Sequence, residues 1–260
     1  MGTFFPNSGN WQQMSKSVFV GVDRFPDQLN EIKAQWGGGQ PPASFEQTKF
    51  PDLGAALGFL FEKFGSDKGR NGYHSLYAEL LGEALGSKSH QPIHILEIGI
   101  GSQNPKAVST MAWAASTNGG SLRAFAALSS RIKVLGLDYD RGSLFSEDRV
   151  TTRFVDQLEP KTFDEALLGY EDIAFDLIID DGLHFITANL NSVYALLPRL
   201  AAGGHMVVED VPLRSKSLWE VVATQLRVVG IETTFWQRAR GGINVVISAP
   251  NRVYVEGFWR

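Results

Sequence analysis

The sequence predicts an α/β fold built on a mostly parallel sheet, and three observations carry that reading. Short apolar runs recur at 93–98, 132–137, 152–155, 175–179 and 205–208, each of strand length. The stretches between them have room for helices, notably 105–115, 161–168, 186–200 and 217–229. Fully apolar strands alternating with helices imply a parallel sheet covered on both faces. The last two runs, 231–237 and 243–249, are separated only by 238–242. So short a connection cannot carry a crossover helix, and the two strands should pair as an antiparallel hairpin.

Five strand–helix units closed by a hairpin give a Rossmann-like, seven-stranded sheet of the kind expected of class I methyltransferases. A dehydrogenase with the usual dinucleotide-binding order would instead continue with parallel strands. The chain divides into an N-terminal extension (1–60, a substrate lid), a helical segment that frames the cofactor (61–90) and the sheet domain (91–260). The extension is rich in Gly, Pro, Gln, Asn and aromatics, and Gly37-Gly38-Gly39-Gln40-Pro41-Pro42 reads as a flexible connector. A short helix fits 25–36, and 73–85 reads as an amphipathic helix with Leu76, Leu80, Ala84 and Leu85 at helical spacing. Trp11, Phe19, Phe25, Trp36 and Phe50 form either a stacking wall for sugar rings or an accessory core. Irregular spacing favours the core.

Composition narrows the function classes. The 260 residues are 43% hydrophobic and 20% charged, with net charge −4, so no general attraction to nucleic acid or anionic membrane is expected. The absence of cysteine excludes disulfides, zinc–thiolate sites and thiol catalysis. No window approaches the roughly 18–20 apolar residues of a membrane span. The N-terminus shows neither a secretory pattern nor a myristoylation pattern, and a cytoplasmic location is the default expectation.

The first strand ends in Leu96-Glu97-Ile98-Gly99-Ile100-Gly101-Ser102. Gly99 and Gly101 allow a tight turn and close approach to a ligand. A dinucleotide fingerprint needs a third glycine where Asn104 stands, which weakens a nicotinamide reading. An acid two residues before the first glycine is instead the habit of S-adenosylmethionine sites, where Glu97 would receive the cofactor's amino group. Asp138 closes the second strand, placed to accept the ribose hydroxyls of an adenosine. Asp156 and Gln157 follow the third and could bond an adenine edge. The bland alternatives are an empty glycine turn and acids that cap helices.

The strongest chemical signal is Asp180-Asp181-Gly182-Leu183-His184 after one apolar strand and Glu209-Asp210 after the next. Four carboxylates on neighbouring strand ends repel one another unless a cation joins them. Hard oxygen donors suit Mg²⁺, Mn²⁺ or Ca²⁺. His184, three residues beyond Asp181, sits within reach of an acceptor hydroxyl, where a neutral imidazole can act as general base.

Together these residues resemble the metal-dependent O-methyltransferases that act on sugars of glycosylated natural products and polysaccharides, the mycinamicin-type macrolide 2''-O-methyltransferases among them. The matching pieces run from Ser66-Asp67-Lys68-Gly69, Tyr73-His74 and Tyr77 through Leu96-Glu97-Ile98-Gly99, Gly119-Gly120-Ser121-Leu122-Arg123, Gly136-Leu137-Asp138 and Asp156-Gln157 to Asp180-Asp181, His184 and Glu209-Asp210. The resemblance implies metal ligation by Asp181, Glu209 and Asp210, with Mg²⁺ or Mn²⁺ as the ion and His184 as base. It implies that Ser66, Asp67 and Lys68 frame S-adenosyl-L-methionine, together with Glu97, Gly99, Gly101, Ser102, Asp138, Asp156, Gln157 and Asp180. It also implies a glycoside or saccharide acceptor and a homo-oligomer, with no nucleic acid or membrane partner. A catechol-type enzyme is the rival within methyl transfer. Its base is generally a lysine, and none follows Asp181 closely in the chain. A nucleotide-dependent oxidoreductase and a non-catalytic module are the rivals from other classes.

Overall fold

The computed structural model describes residues 43–44, 48–87, 91–105, 117–237 and 242–250. The helix expected at 25–36, the helix expected at 105–115 beyond its first residue, the glycine–proline connector and four of the five N-terminal aromatics lie outside these residues. Phe50, the fifth aromatic, is partly buried against the core.

Strands β2 (Ile93–Ile98), β3 (Ile132–Asp138), β5 (Val150–Phe154), β6 (Phe175–Asp180) and β7 (Leu200–Val211) form the parallel part of the sheet. The hairpin is present as predicted: β8 (Glu232–Gln237) and β9 (Ile243–Ser248) run antiparallel, and β9 inserts between β8 and β7. Two two-residue strands extend the seven predicted ones, β1 (Ala43–Ser44) beside β8 and β4 (Ser146–Glu147) beside β5. The full order is β1-β8-β9-β7-β6-β2-β3-β5-β4. The order in which strands are added reverses at β2, whose parallel neighbours are β3 and β6. That makes its C-terminal end the crevice where open α/β sheets take ligands.

Two helical layers cover the sheet. Helices α1 (Pro51–Lys63), α2 (Tyr73–Ser87) and α3 (Gly120–Leu128) lie on one face. There Leu57, Phe61, Tyr77 and Phe125 pack on Ile95, Val134, Leu177 and Val207. On the other face are α4 (Lys161–Ala166), α5 (Ile186–Leu196) and α6 (Lys216–Val228). Phe163, Leu196 and Trp219 pack there on Leu96, Leu135, Ile178 and Met206. Adjacent residues of one strand therefore serve opposite cores, as the pleat requires. Each fully buried large apolar side chain contributes roughly 1.5–3 kcal/mol, so both faces hold the strand ends rigidly.

Helices α1 and α3 were not anticipated from the sequence. Gly54 and Gly58 dilute the apolar period of α1, and Gly119-Gly120 at the start of α3 reads as a turn. Helix α1 runs across residues 60 and 61 and packs on α2. Strand β7 is longer than the expected 205–208 because its first residues pair with β6 across a register shift. Among the described residues no helix is long and apolar enough to cross a membrane.

Candidate active site

The alternation that builds the two cores also sorts the acids. Glu97 keeps the parity of Ile93 and Ile95, and Glu209 that of Val207, so both turn toward α1–α3. Asp180 keeps the parity of Ile178 and turns toward α5. Asp180 pairs with Val208 across the sheet, which brings the next residues, Asp181 and Glu209, side by side at the crevice.

A lysine more than a hundred residues earlier in the chain meets them. Lys68 lies in the turn between α1 and α2 and is only 2% exposed. Its Nζ donates to Asp181 Oδ2 at 2.7 Å and to Glu209 Oε1 and Oε2 at 2.8 and 2.9 Å. It stands 3.4 Å from Glu97 Oε1, with the Tyr73 ring centroid 5.3 Å away. Burial would push the ammonium down, but Asp181, Glu209 and Glu97 more than offset this and hold it well above the ordinary lysine value. The three carboxylates thus favour the charged form of Lys68. The tyrosines of α2 complete the cage: Tyr77 donates to Glu209 Oε1 and Tyr73 to Asp210 Oδ1.

Glu97 accepts from Ser121 Oγ at 2.9 Å. Its Oε2 is buried without a hydrogen-bond partner. Burial pushes its carboxyl up to about 7, with Lys68 opposing. Such an oxygen is suited to a ligand's cationic group. Gly99 (φ 85) turns the chain just beyond, where a side chain would overlap the Asp181 carbonyl oxygen. Only glycine meets both demands.

Two non-glycine residues adopt positive φ among the described residues, His184 (φ 54) and Asp210 (φ 56). Both are expected site residues. Left-handed backbone at such side chains costs of order 1–3 kcal/mol and clusters where function requires it. Asp210 sits in the bulge between Val208 and Val211 where β7 slips against β9, which re-aims its carboxylate toward Tyr73. His184 Nε2 lies 3.9 Å from Asp181 Oδ1, and Nδ1 is buried without a partner. The side chain is 37% exposed, unlike that of Lys68.

The expected cofactor residues divide into two groups. Gly99, Asp138, Tyr139, Asp156, Gln157 and Leu183 line one recess at the strand ends. Asp138 accepts backbone N–H groups of Ile100 and Asp140 at 2.9 and 2.8 Å, and Asp156 accepts that of Leu158 at 2.9 Å. A carboxylate offers about four lone pairs, so acceptor capacity remains in both. Gln157, although it borders the recess, spends its amide inward, as Asp180 does its carboxylate. Gln157 Nε2 donates to Asp180 Oδ1 and Ser192 Oγ, and its Oε1 accepts from Leu183 N–H. Asp180 Oδ2 accepts from Asn189 at 3.0 Å. Ser102 donates to Asp140, beside Gly101. Ser66 accepts from Lys68 N–H, and Asp67 accepts from Asn71.

Sequence reasoning gave no role to Tyr73, Tyr77, Ser121, Asn189 or Ser192. A signal existed for the tyrosines, which stand four residues apart on the buried face of one helix.

Among the described residues no three acids or histidines already converge as a metal cage. The donor set nonetheless fits a hard divalent ion. Asp181 and Glu209 already converge on one positive centre, the Lys68 ammonium, and Asp210 follows directly in the strained bulge.

No family model matches the chain. The chain is 36% identical over 123 residues to demethylmacrocin O-methyltransferase of Streptomyces fradiae, an alignment covering 47% of this chain and 28% of that protein. It is 30% identical over 159 residues to 8-demethyl-8-(2-methoxy-alpha-L-rhamnosyl)-tetracenomycin-C 3'-O-methyltransferase of Streptomyces olivaceus, covering 60% and 36%. It is 33% identical over 123 residues to mycinamicin VI 2''-O-methyltransferase of Micromonospora griseorubida, covering 47% and 28%. The chain thus spans about a third of the length of the curated relatives it matches. Among solved structures it resembles the MycE methyltransferase of the mycinamycin pathway in complex with Mg, SAH and mycinamycin VI. That match has a TM-score of 0.56 at 22% identity, over 78% of this chain and 57% of that one. The fold is that of the class I methyltransferases.

Proposed function

We propose that the chain carries an S-adenosylmethionine-dependent, divalent-metal-dependent O-methyltransferase activity directed at a hydroxyl of a sugar or glycosylated natural product. The observation that supports this most is the meeting of Asp181 and Glu209 on one cation at the switch point of the sheet, with His184 beside Asp181. The relatives' names, all O-methyltransferases, point the same way.

Asp181, Glu209 and Asp210 would hold the Mg²⁺ or Mn²⁺ ion. When bound, S-adenosylmethionine supplies an electrophilic methyl group, and the ion supplies Lewis acidity to the acceptor hydroxyl. Asp138 and Asp156 position the adenosine, and Glu97 Oε2 receives the cofactor's amino group. Ser66 and Asp67 shape the turn that presents Lys68. His184 Nε2 takes the acceptor's proton, its ring aimed by the left-handed backbone and by Asp181. Holding nucleophile and methyl in line supplies much of the acceleration. A lysine base of the catechol type is disfavoured, because the lysine found beside Asp181 is buried and tied to carboxylates. Assembly as a homo-oligomer and a cytoplasmic site of action belong to the same reading.

The test is transfer of labelled methyl to a panel of rhamnosides, macrolide glycosides, saccharides and catechols, with and without EDTA. Labelled glycoside only in the EDTA-free arm is expected. Undiminished turnover in EDTA would remove the metal from the reading, and exclusive labelling of catechols would replace the acceptor class.

A further inference from the structure

The Lys68 ammonium takes no part in the methyl transfer just described, yet it is the most heavily committed charge in the crevice. It is 2% exposed and faces carboxylates on or just beyond three different strands. The oxygens to which it donates, Asp181 Oδ2 and both of Glu209, are those a divalent ion would claim. An ammonium and a divalent cation cannot share them without strong repulsion. The third carboxylate at the ammonium, Glu97 on β2, is outside the proposed ligand set. Its Oε1 is 3.4 Å from the ammonium, and its Oε2 has no partner.

We propose that Lys68 is the reserve counter-ion of the metal site. It holds Asp181 and Glu209 together in the metal-free protein and passes to Glu97 Oε1 when a divalent ion enters, leaving Glu97 Oε2 for the cofactor's amino group. The inference rests on the metal-dependent reading above.

The charges favour such a transfer. Glu97, Asp181, Glu209 and Asp210 carry four negative charges when ionised, against one on Lys68. A divalent ion added to them leaves the cluster close to neutral, so the ammonium need not escape to water. Its remaining surroundings, the Glu97 carboxylate and the face of the Tyr73 ring, both favour a cation. Lys68 then sets two properties of the site. It weakens metal binding by the work of displacing an ammonium, and it discriminates against monovalent ions, which replace one unit charge by another. Lys68 is thus a positioning residue that acts through the ligands.

The test titrates MgCl₂ and MnCl₂ calorimetrically into the metal-free full chain. It compares the wild type with Lys68→Met, which keeps the length but not the charge, and with Lys68→Arg, which keeps the charge. Lys68→Met is expected to bind the ions at least about tenfold more tightly, the scale of one close charge interaction. Its metal-free Tm should be lower, with a larger rise on metal addition. Lys68→Arg should bind no more tightly than wild type. On the wild type itself, the protected lysine ammonium signal in a ¹H–¹⁵N spectrum should shift on saturation with Mg²⁺. That signal decides the matter if Lys68→Met does not fold. Equal or weaker metal binding by folded Lys68→Met, or an unmoved ammonium signal in metal-saturated wild type, overturns the inference alone. A wild type that binds no divalent ion overturns the metal reading, and this inference with it.

Discussion

Gln157 and Asp180 meet face to face beneath the crevice, the Gln157 amide donating to Asp180 Oδ1 at 2.8 Å while its carbonyl accepts the Leu183 N–H at 2.9 Å. The pair ties the end of β6 to α5 and braces the loop that carries Asp181 and His184. Gln157→Met fills a similar volume but strands the Leu183 N–H and removes a donor from a buried carboxylate. The expected loss is about 1–3 kcal/mol. Thermal melts would record it, and faster amide exchange at Leu183 would localise it. Wild-type exchange there would separate this pair from the bracing of the loop.

His184 offers a cleaner dissection of chemistry from fold than most general-base candidates. Asparagine tolerates the left-handed backbone that His184 adopts, so His184→Asn keeps the turn while removing the imidazole. Methyl transfer should fall by about 10²–10⁴-fold, the usual contribution of a positioned acid–base group. Calorimetric affinity for S-adenosylhomocysteine should stay within error. Wild-type turnover in His184→Asn would remove His184 from the mechanism.

Gly99 tests the floor of the cofactor recess. A methyl group there meets the Asp181 carbonyl oxygen, and the backbone φ of 85 adds strain. Gly99→Ala should cost about 1–3 kcal/mol, with a Tm lower by roughly 2–4 °C per kcal/mol. Affinity for S-adenosylhomocysteine should drop with it. An alanine variant that melts and binds like wild type would mean that the turn can shift without consequence.

The sheet also carries a pH-dependent element away from the site. His205, on β7, is partly buried and held 2.9 Å from Ser248 Oγ. Burial pushes its imidazole down, with Glu83 opposing weakly. The folded protein therefore binds its proton less readily than the unfolded chain, whose histidine titrates near about 6.5. The stabilisation is complete above that value and is lost as the pH falls through the depressed folded value. Tm should decline on acidification below about pH 6.5, more steeply in wild type than in His205→Gln. Parallel curves for the two proteins would show that another group governs the acid limb.

The central strands, the terminal hairpin and the acids at the strand ends were legible in the sequence because periodicity and local spacing are written along the chain. Asp181, His184, Glu209 and Asp210 fall within one turn of a strand end, so burying the apolar run is enough to deliver them. What escaped was written across it. Lys68 reaches Asp181 over 113 residues and Glu209 over 141, and nothing local to the Ser66-Asp67-Lys68 turn reveals its partners. Gln157 was legible as a polar strand end, but its inward commitment depends on α5 lying beneath it. Helix α1 was hidden by its glycines, although Pro51 in its first turn is a start signal.

The spacing of Lys68, Asp181 and Glu209 along the chain also governs when the site comes into being. Contacts between residues so distant in sequence close large loops, and such contacts form late and slow the folding of the chains that depend on them. The α1–α2 pair can dock through neighbouring residues, whereas the ionic centre must wait for β6 and β7 to align in parallel register. In a refolding experiment, recovery of helical signal should thus precede recovery of divalent-ion affinity, and ion binding becomes a probe of the last cooperative step.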